Sequence, residues 1–304
     1  MTDPDDPLRL LHDALMRSDA PVGEILGAWR GPVRGRLGEL ASLGRREPQP
    51  PGPGDDGYPD HLERLYALHA LGATVDYLVE CGCPGGVGTP GVDTGDTGDT
   101  GETGETGGRR LDVDALAEYA AFLEAVGLSP VDGPGGFSPF HHEVFAVVQD
   151  DDARHIRLEA VLWPGFRLGD LHVARAGVRV RAPRHLLDAH VATTSTLYFT
   201  QRRDPRRTHD LAHGWGSNSR WATAAPRWYD DAEGLHLNWD GTIDIGADDP
   251  PNWGPPDGTP APPIERRREL LEHRCFVRAP LPDDERDWNP YDDRMTLPSV
   301  ISSP

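Results

Sequence analysis

FSPFHHEVFAVVQDDDARHIRLEAVLWPGFRLGDLHVARAGVRVR, residues Phe137 to Arg181, is the longest segment in which strand-like alternation and turn punctuation coincide. Glu143 to Gln149 is apolar and β-branched, and the acidic run Asp150, Asp151, Asp152 ends it as a turn. Ile156, Leu158, Ala160 and Leu162 then share one face, with Arg157, Glu159 and Val161 opposite, the period of two of a half-buried strand. Pro164-Gly165 turns the chain. A last strand sets Ala176, Val178 and Val180 against Arg179 and Arg181. Tight turns between such strands predict an antiparallel meander.

Upstream the periodicity changes to that of helices. Leu8, Leu11, Leu15, Ile25, Leu26, Trp29, Val33, Leu37, Leu40 and Leu43 recur mostly at intervals of three and four, which predicts amphipathic helix interrupted near Pro21 and Pro32. His61 to Cys81 reads as a second helix and Leu111 to Leu128 as a third, capped by Gly127. Between them, 84–108 is low complexity on a Gly-acid-Thr triplet, with no apolar surface to bury; it reads as a disordered acidic loop. Downstream, Ser195 to Gln201 and Leu235 to Trp239 read as strands, the latter closed by Asp240-Gly241. A Pro/Asp/Gly linker, a short charged helix over Ile264 to Cys275 and a polar tail follow.

The expected fold class is therefore α+β, amino-terminal amphipathic helices followed by a mainly antiparallel β-domain. The expected divisions are a helical region over 1–130, the β-domain over 131–246, and a Pro-rich linker, helix and tail over 247–304.

Composition narrows the function. Of 304 residues 37% are hydrophobic, and Gly (35) and Pro (30) together exceed a fifth, so much of the chain is loop. All 30 basic residues are arginine, which excludes a Walker A lysine, a Schiff-base lysine and a lysine general base. A net charge of −20 argues against nucleic acid or an anionic membrane as partner. The cluster Arg202, Arg203, Arg206 and Arg207 is partly cancelled by Asp204 and Asp210 and reads as a solvated turn. The start MTDPDDPLRLL lacks an apolar signal core and no run reaches membrane-spanning length, so a cytoplasmic protein is expected. Cys81, Cys83 and Cys275 make neither a disulfide framework nor a complete metal site.

The opening stretch resembles the carboxy-terminal β-domain of the GrpE family, the nucleotide-exchange factors of DnaK-type chaperones. Phe137, Ser138, Pro139, His142 and Glu143 stand in the family's Phe-polar-Pro-x-x-His-Glu pattern, and Gly165, Phe166 and Asp170 in its Gly-aromatic-x-x-x-acid pattern. Val173, Ala176, Val178 and Val180 follow its alternating tail. Val144, Phe145 and Ala174 depart from the pattern, and prolines break the first helix where the family has a long uninterrupted one. The resemblance covers roughly residues 60 to 182. It implies a chaperone partner, a homodimer through the helical half, and an architectural role for Phe137, Pro139, His142, Glu143, Gly165, Phe166 and Asp170.

No catalytic motif is specific. His209 and His213 flank Asp210 as H-D-x-x-H, but Asp is shorter than the Glu of zinc proteases, Gly214 and Gly216 stop a helix, and no third ligand is marked. His141 and His142 at a strand start point to opposite faces, so a histidine capping the turn is the simpler reading. Ser217 and Ser219 do not make G-x-S-x-G. Neither a metal nor another cofactor is called for. What stands out is aromatic density: His213, Trp215, Asn218, Arg220, Trp221 and Trp239 are the candidate partner- or ligand-binding residues, with Trp228 and Tyr229 among them. The same tryptophans could instead fill a core.

Three readings follow: a non-enzymatic partner-binding protein, GrpE-like in its middle; a small-ligand-binding protein or hydrolase built on 209–239; or a function that no motif specifies. Deleting Gly91 to Gly107 is expected to shift the thermal midpoint by no more than a few degrees, since loop closure depends only logarithmically on length. Calorimetry on the deletion variant checks this.

Overall fold

A computed structural model describes residues 5–47, 55–82, 113–131, 136–200, 206, 208–209, 226–250, 262–280 and 290–298. The acidic repeat and most of the arginine cluster lie outside them. The chain runs α1 (Pro7–Arg17), α2 (Val22–Leu40), a 3-10 turn (Ala41–Gly44), α3 (Tyr58–Gly82) and α4 (Val113–Val126). Strands β1 (Ser129–Pro130), β2 (His142–Gln149), β3 (Arg157–Trp163), β4 (Phe166–Leu168), β5 (Leu171–Ala174) and β6 (Ala176–Ala182) follow. After α5 (Ala189–Thr194) come β7 (Leu197–Tyr198), β8 (Thr208–His209), β9 (Tyr229–Asp231), β10 (Gly234–Leu237) and β11 (Ile243–Asp244). Last are α6 (Ile264–His273) and β12 (Asp293–Leu297). Helices first and mainly antiparallel strands after make the fold α+β.

Local chemistry sets the helix ends. Asp6 caps α1 by accepting from Leu8 N at 2.8 Å, with Pro7 in the first turn, where its missing N–H costs nothing. Its other oxygen takes Arg36 Nε at 2.8 Å, pinning the start of α1 to α2. Pro21 does break the chain between α1 and α2, but Pro32 lies inside α2. The expected second interruption is absent because Pro32 and Ala28, whose carbonyl loses its partner, both face solvent. The buried stripe of Val22, Ile25, Leu26, Val33, Leu37 and Leu40 continues across it. At the end of α4, Gly127 is left-handed (φ 116°); its N–H donates to Glu124 O at 3.1 Å and Leu128 N to Leu123 O at 3.0 Å. Those two bonds are a Schellman cap.

The Phe137–Arg181 stretch is not a meander. β6 inserts between β2 and β3, parallel to the first and antiparallel to the second. β6 carries the valines Val178 and Val180, each 0% exposed, so the most buried strand takes the middle. The β4–β5 hairpin, turned at Gly169 (φ 59°), leaves this small sheet altogether. It joins a seven-stranded sheet ordered β1-β4-β5-β9-β10-β12-β11. β7 and β8 form a separate parallel pair, shorter than the strand expected over Ser195 to Gln201. β12 lies between β10 and β11, inside a segment expected to be polar tail. The reason is Asp293: buried at its first position, it is held by Arg267 at 2.5 and 3.0 Å, so a polar sequence is compatible with an interior strand.

The main core joins the helices to the hairpin, with Leu8, Leu40, Leu71 and Phe122 packed with Phe166, Leu168, Leu171 and Tyr229. A second core lies under the small sheet and includes Val144, Val178, Val180, Leu187 and Leu197. A third joins Phe140, Trp228, Leu237, Ile245, Leu271 and Met295. Phe166 is 3% exposed at the centre of the helix–sheet contact. Phe166→Ala is expected to cost ~3 kcal/mol, measured by urea denaturation with m unchanged.

Candidate functional site

The start of β2, the β5–β6 link and the end of α6 meet at one point, and Arg175 occupies it. This arginine is 3% exposed and is the one residue between β5 and β6. Its Nη1 donates to the carbonyls of His273 at 2.9 Å, Pro139 at 3.3 Å and His142 at 3.4 Å. Glu143 Oε2 lies 4.0 Å from its Nη2 and supplies the opposing charge. Gly165 makes the crossing possible: a Cβ there would sit 2.6 Å from Ala176 N.

Five residues carrying the GrpE resemblance, Phe137, Pro139, His142, Glu143 and Gly165, gather around this point. The Phe137 ring stacks on His142 at 5.9 Å and on His273 at 6.1 Å. Pro139 and Glu143 meet Arg175, and His142 Nδ1 accepts from Ser138 N at 3.0 Å, so His142 does cap the turn. Asp170 joins two layers through its backbone, donating to Gly44 O at 2.7 Å and accepting from Asp230 N at 2.9 Å. Phe166 lies in the main core. Each of the seven has a structural contact.

Two further histidines, His141 and His172, and a second arginine complete the cluster. Burial, reinforced by His141 and Arg175, pushes His142 down to about 4, and burial with Arg175 beside it does the same to His273. His172, fully enclosed and facing Arg274 and His141, is held well below the usual imidazole range. Its ring stacks on Phe140 at 5.3 Å, and its Nε2 has no hydrogen-bond partner among the described residues. Arg274, left-handed at the end of α6, lies 3.6 Å over the Trp228 ring. His141 is different in kind. Its Nδ1 meets Ser138 Oγ at 3.0 Å and its Nε2 meets Asp230 Oδ2 at 2.9 Å. The Asp230 side chain is 38% exposed, so this line of three groups reaches solvent.

Of the residues singled out over 209–239, His213, Trp215, Asn218, Arg220 and Trp221 lie outside the described residues. Trp239 is a clamp: its Nε1 donates to Glu47 O at 3.0 Å and Arg46 lies 4.6 Å over its ring. Trp228 is buried in the third core and Tyr229 in the first. Arg227, fully buried, grips Asp240 with Nη2 at 2.6 Å and Nε at 3.0 Å, and donates to Tyr229 Oη at 3.2 Å. Burial pushes the Tyr229 hydroxyl up to about 12. Sequence reasoning missed Ser138, His141, Asp230 and Arg175 as a group, although the adjacent histidines at a strand start were a visible signal. Among the described residues no cluster of three or more His, Cys, Asp or Glu is placed to hold a metal ion. Among them no helix is long and apolar enough to cross a membrane.

The small sheet presents a second feature. β3 is a terminal strand, bonded to β6 on one side. Val161 on it is 57% exposed, the exposed large apolar side chain among the described residues. Beside it Glu159 Oε1 accepts from Arg181 Nε at 2.6 Å, and Arg181 also reaches Asp150 at 3.4 Å.

No family model matches the chain, and neither a curated protein nor a solved structure matches it.

The histidine cluster makes a prediction about acid. His142 and His273 are held near 4 in the fold against 6.5 as free side chains. Below 6.5 the unfolded chain takes up protons that the folded one refuses, so stability is full above 6.5 and is lost as pH falls towards 4. The loss is on the order of 3 kcal/mol per histidine. Equilibrium unfolding across this range checks it, with His273→Gln expected to flatten the slope.

Proposed function

We propose that the protein works by binding a protein partner through the exposed β3 side of the β2-β6-β3 sheet. The observation that carries this reading is Val161, 57% exposed on a terminal strand that also carries Glu159, ion-paired with Arg181, which in turn reaches Asp150. An apolar centre within a charged rim is the usual anatomy of a protein-binding patch. Two bulges in the β3–β6 ladder and the charges of Arg157 and Glu159 discourage edge-to-edge pairing, so the partner meets the side chains of β3 and does not add a strand.

The partner class comes from the GrpE resemblance: the nucleotide-binding domain of a DnaK-type chaperone, engaged by a chain paired through its helical half. The structural contacts of Phe137, Pro139, Gly165 and Phe166 support a division of labour in which these residues hold the sheet and Val161 meets the partner. The test is release of a labelled nucleotide from the chaperone of the same organism. The intact chain is expected to accelerate release, and Val161→Asp to weaken the effect roughly tenfold, about 1.4 kcal/mol of affinity, without lowering the thermal midpoint. No acceleration at a large excess of protein, together with a monomer by light scattering, overturns the chaperone reading.

A further inference from the structure

A different observation carries a second function. Ser138, His141 and Asp230 form a continuous hydrogen-bonded line, Oγ to Nδ1 at 3.0 Å and Nε2 to Oδ2 at 2.9 Å. One tautomer satisfies both bonds: Nε2–H donates to the Asp230 carboxylate, and the bare Nδ1 accepts from the serine hydroxyl. A hydroxyl bonded to an imidazole whose far nitrogen is oriented by a carboxylate is the arrangement that activates a serine. The two nitrogens exchange the places they hold in the serine proteases, which the proton bookkeeping permits equally.

The surroundings separate this from turn capping alone. The turn has its own bonds: Ser138 O accepts from His141 N at 3.2 Å and His142 N at 2.9 Å, and Ser138 N donates to His142. The hydroxyl is thus spare for His141. The imidazole is fixed on its other sides by Phe140, edge-on at 4.9 Å, and by His172 and His142 at 5.8 and 6.5 Å. Both of those histidines are kept neutral by burial and add no competing charge. The line is open at its ends, with Ser138 half-buried and the Asp230 side chain 38% exposed. Orientation inside and access outside are the two conditions a positioned nucleophile needs.

We propose that Ser138, His141 and Asp230 are the nucleophile, general base and orienting carboxylate of an acyl-transfer site for small uncharged esters. Ser138 Oγ bonds to the ester carbonyl carbon as its proton passes to His141 Nδ1. The carbon–alkoxy bond then breaks, and the same proton leaves with the alcohol. Water attacks the acyl-serine with His141 again taking the proton, which releases the carboxylic acid and restores the hydroxyl. Asp230 holds the ring throughout. With Asp230 and Asp231 adjacent and a net charge of −20, an anionic substrate is disfavoured.

The test is covalent capture of the intact chain by an alkyl fluorophosphonate, in which the Oγ–P bond forms and fluoride leaves. Peptide mapping is expected to place the adduct on Ser138, with Ser138→Ala unlabelled there. Asp230→Asn is expected to slow labelling by at least roughly tenfold while the circular dichroism spectrum is retained. Hydrolysis of p-nitrophenyl acetate should fall in parallel. An unmodified Ser138 after prolonged exposure to excess reagent overturns the proposal. So does a folded Asp230→Asn that labels as fast as wild type.

Discussion

A guanidinium buried among carbonyls is the constraint on which the junction of this molecule depends. Arg175 stands where the chain passes from the large sheet to the small one, and its Nη1 serves carbonyls from two distant segments. At that position the buried charge is stabilised by the carbonyls that accept from Nη1 and by a near counter-charge, here Glu143. Loss of the guanidinium would leave carbonyls at the β2 start and α6 end without a donor, and Glu143 without its cation. The same device recurs at Arg227 with Asp240 and at Arg267 with Asp293, each arginine 3% exposed or less. The exclusive use of arginine therefore has a physical counterpart. A planar fork with five donors can serve several acceptors at once, which an ammonium group does less well.

The sequence was informative wherever a signal was local. The stripe Leu8, Leu11, Leu15 and the cap at Gly127 depend on residues within a turn or two, and both α1 and the end of α4 are where they were expected. The alternation of β3 was legible for the same reason. Pairing was not. Hairpin reasoning joins strands that follow one another, whereas β6 displaced β3 from β2 because its valines demanded the interior. β12 was hidden because its first residue is an aspartate, and the arginine that makes an aspartate acceptable there lies 26 residues earlier.

The same distinction applies to the site. His141 and His142 were visible as a pair, and the structural role of His142 could be argued from the turn. Asp230 lies 89 residues from His141, inside a stretch that attracted attention for its tryptophans instead. Trp228 and Trp239 turn out to be arginine-stacked supports, so aromatic density marked the scaffold at those positions. The neighbours that matter chemically were the less conspicuous aspartate and serine.

The placement of β12 also bears on how the chain comes to be folded. β10 bonds to β9 on one side and to β12 on the other, so until residues 293–297 have emerged from the ribosome one side of β10 has no strand to pair with. Asp231 and His236, already bonded to each other, stand beside that unfinished ladder. Sequence-distant pairings of this kind close slowly, and the waiting edge is the part of a nascent chain most open to wrong partners. The large sheet can be completed only late in synthesis, while the β2-β6-β3 ladder, contained within 142–182, can pair early.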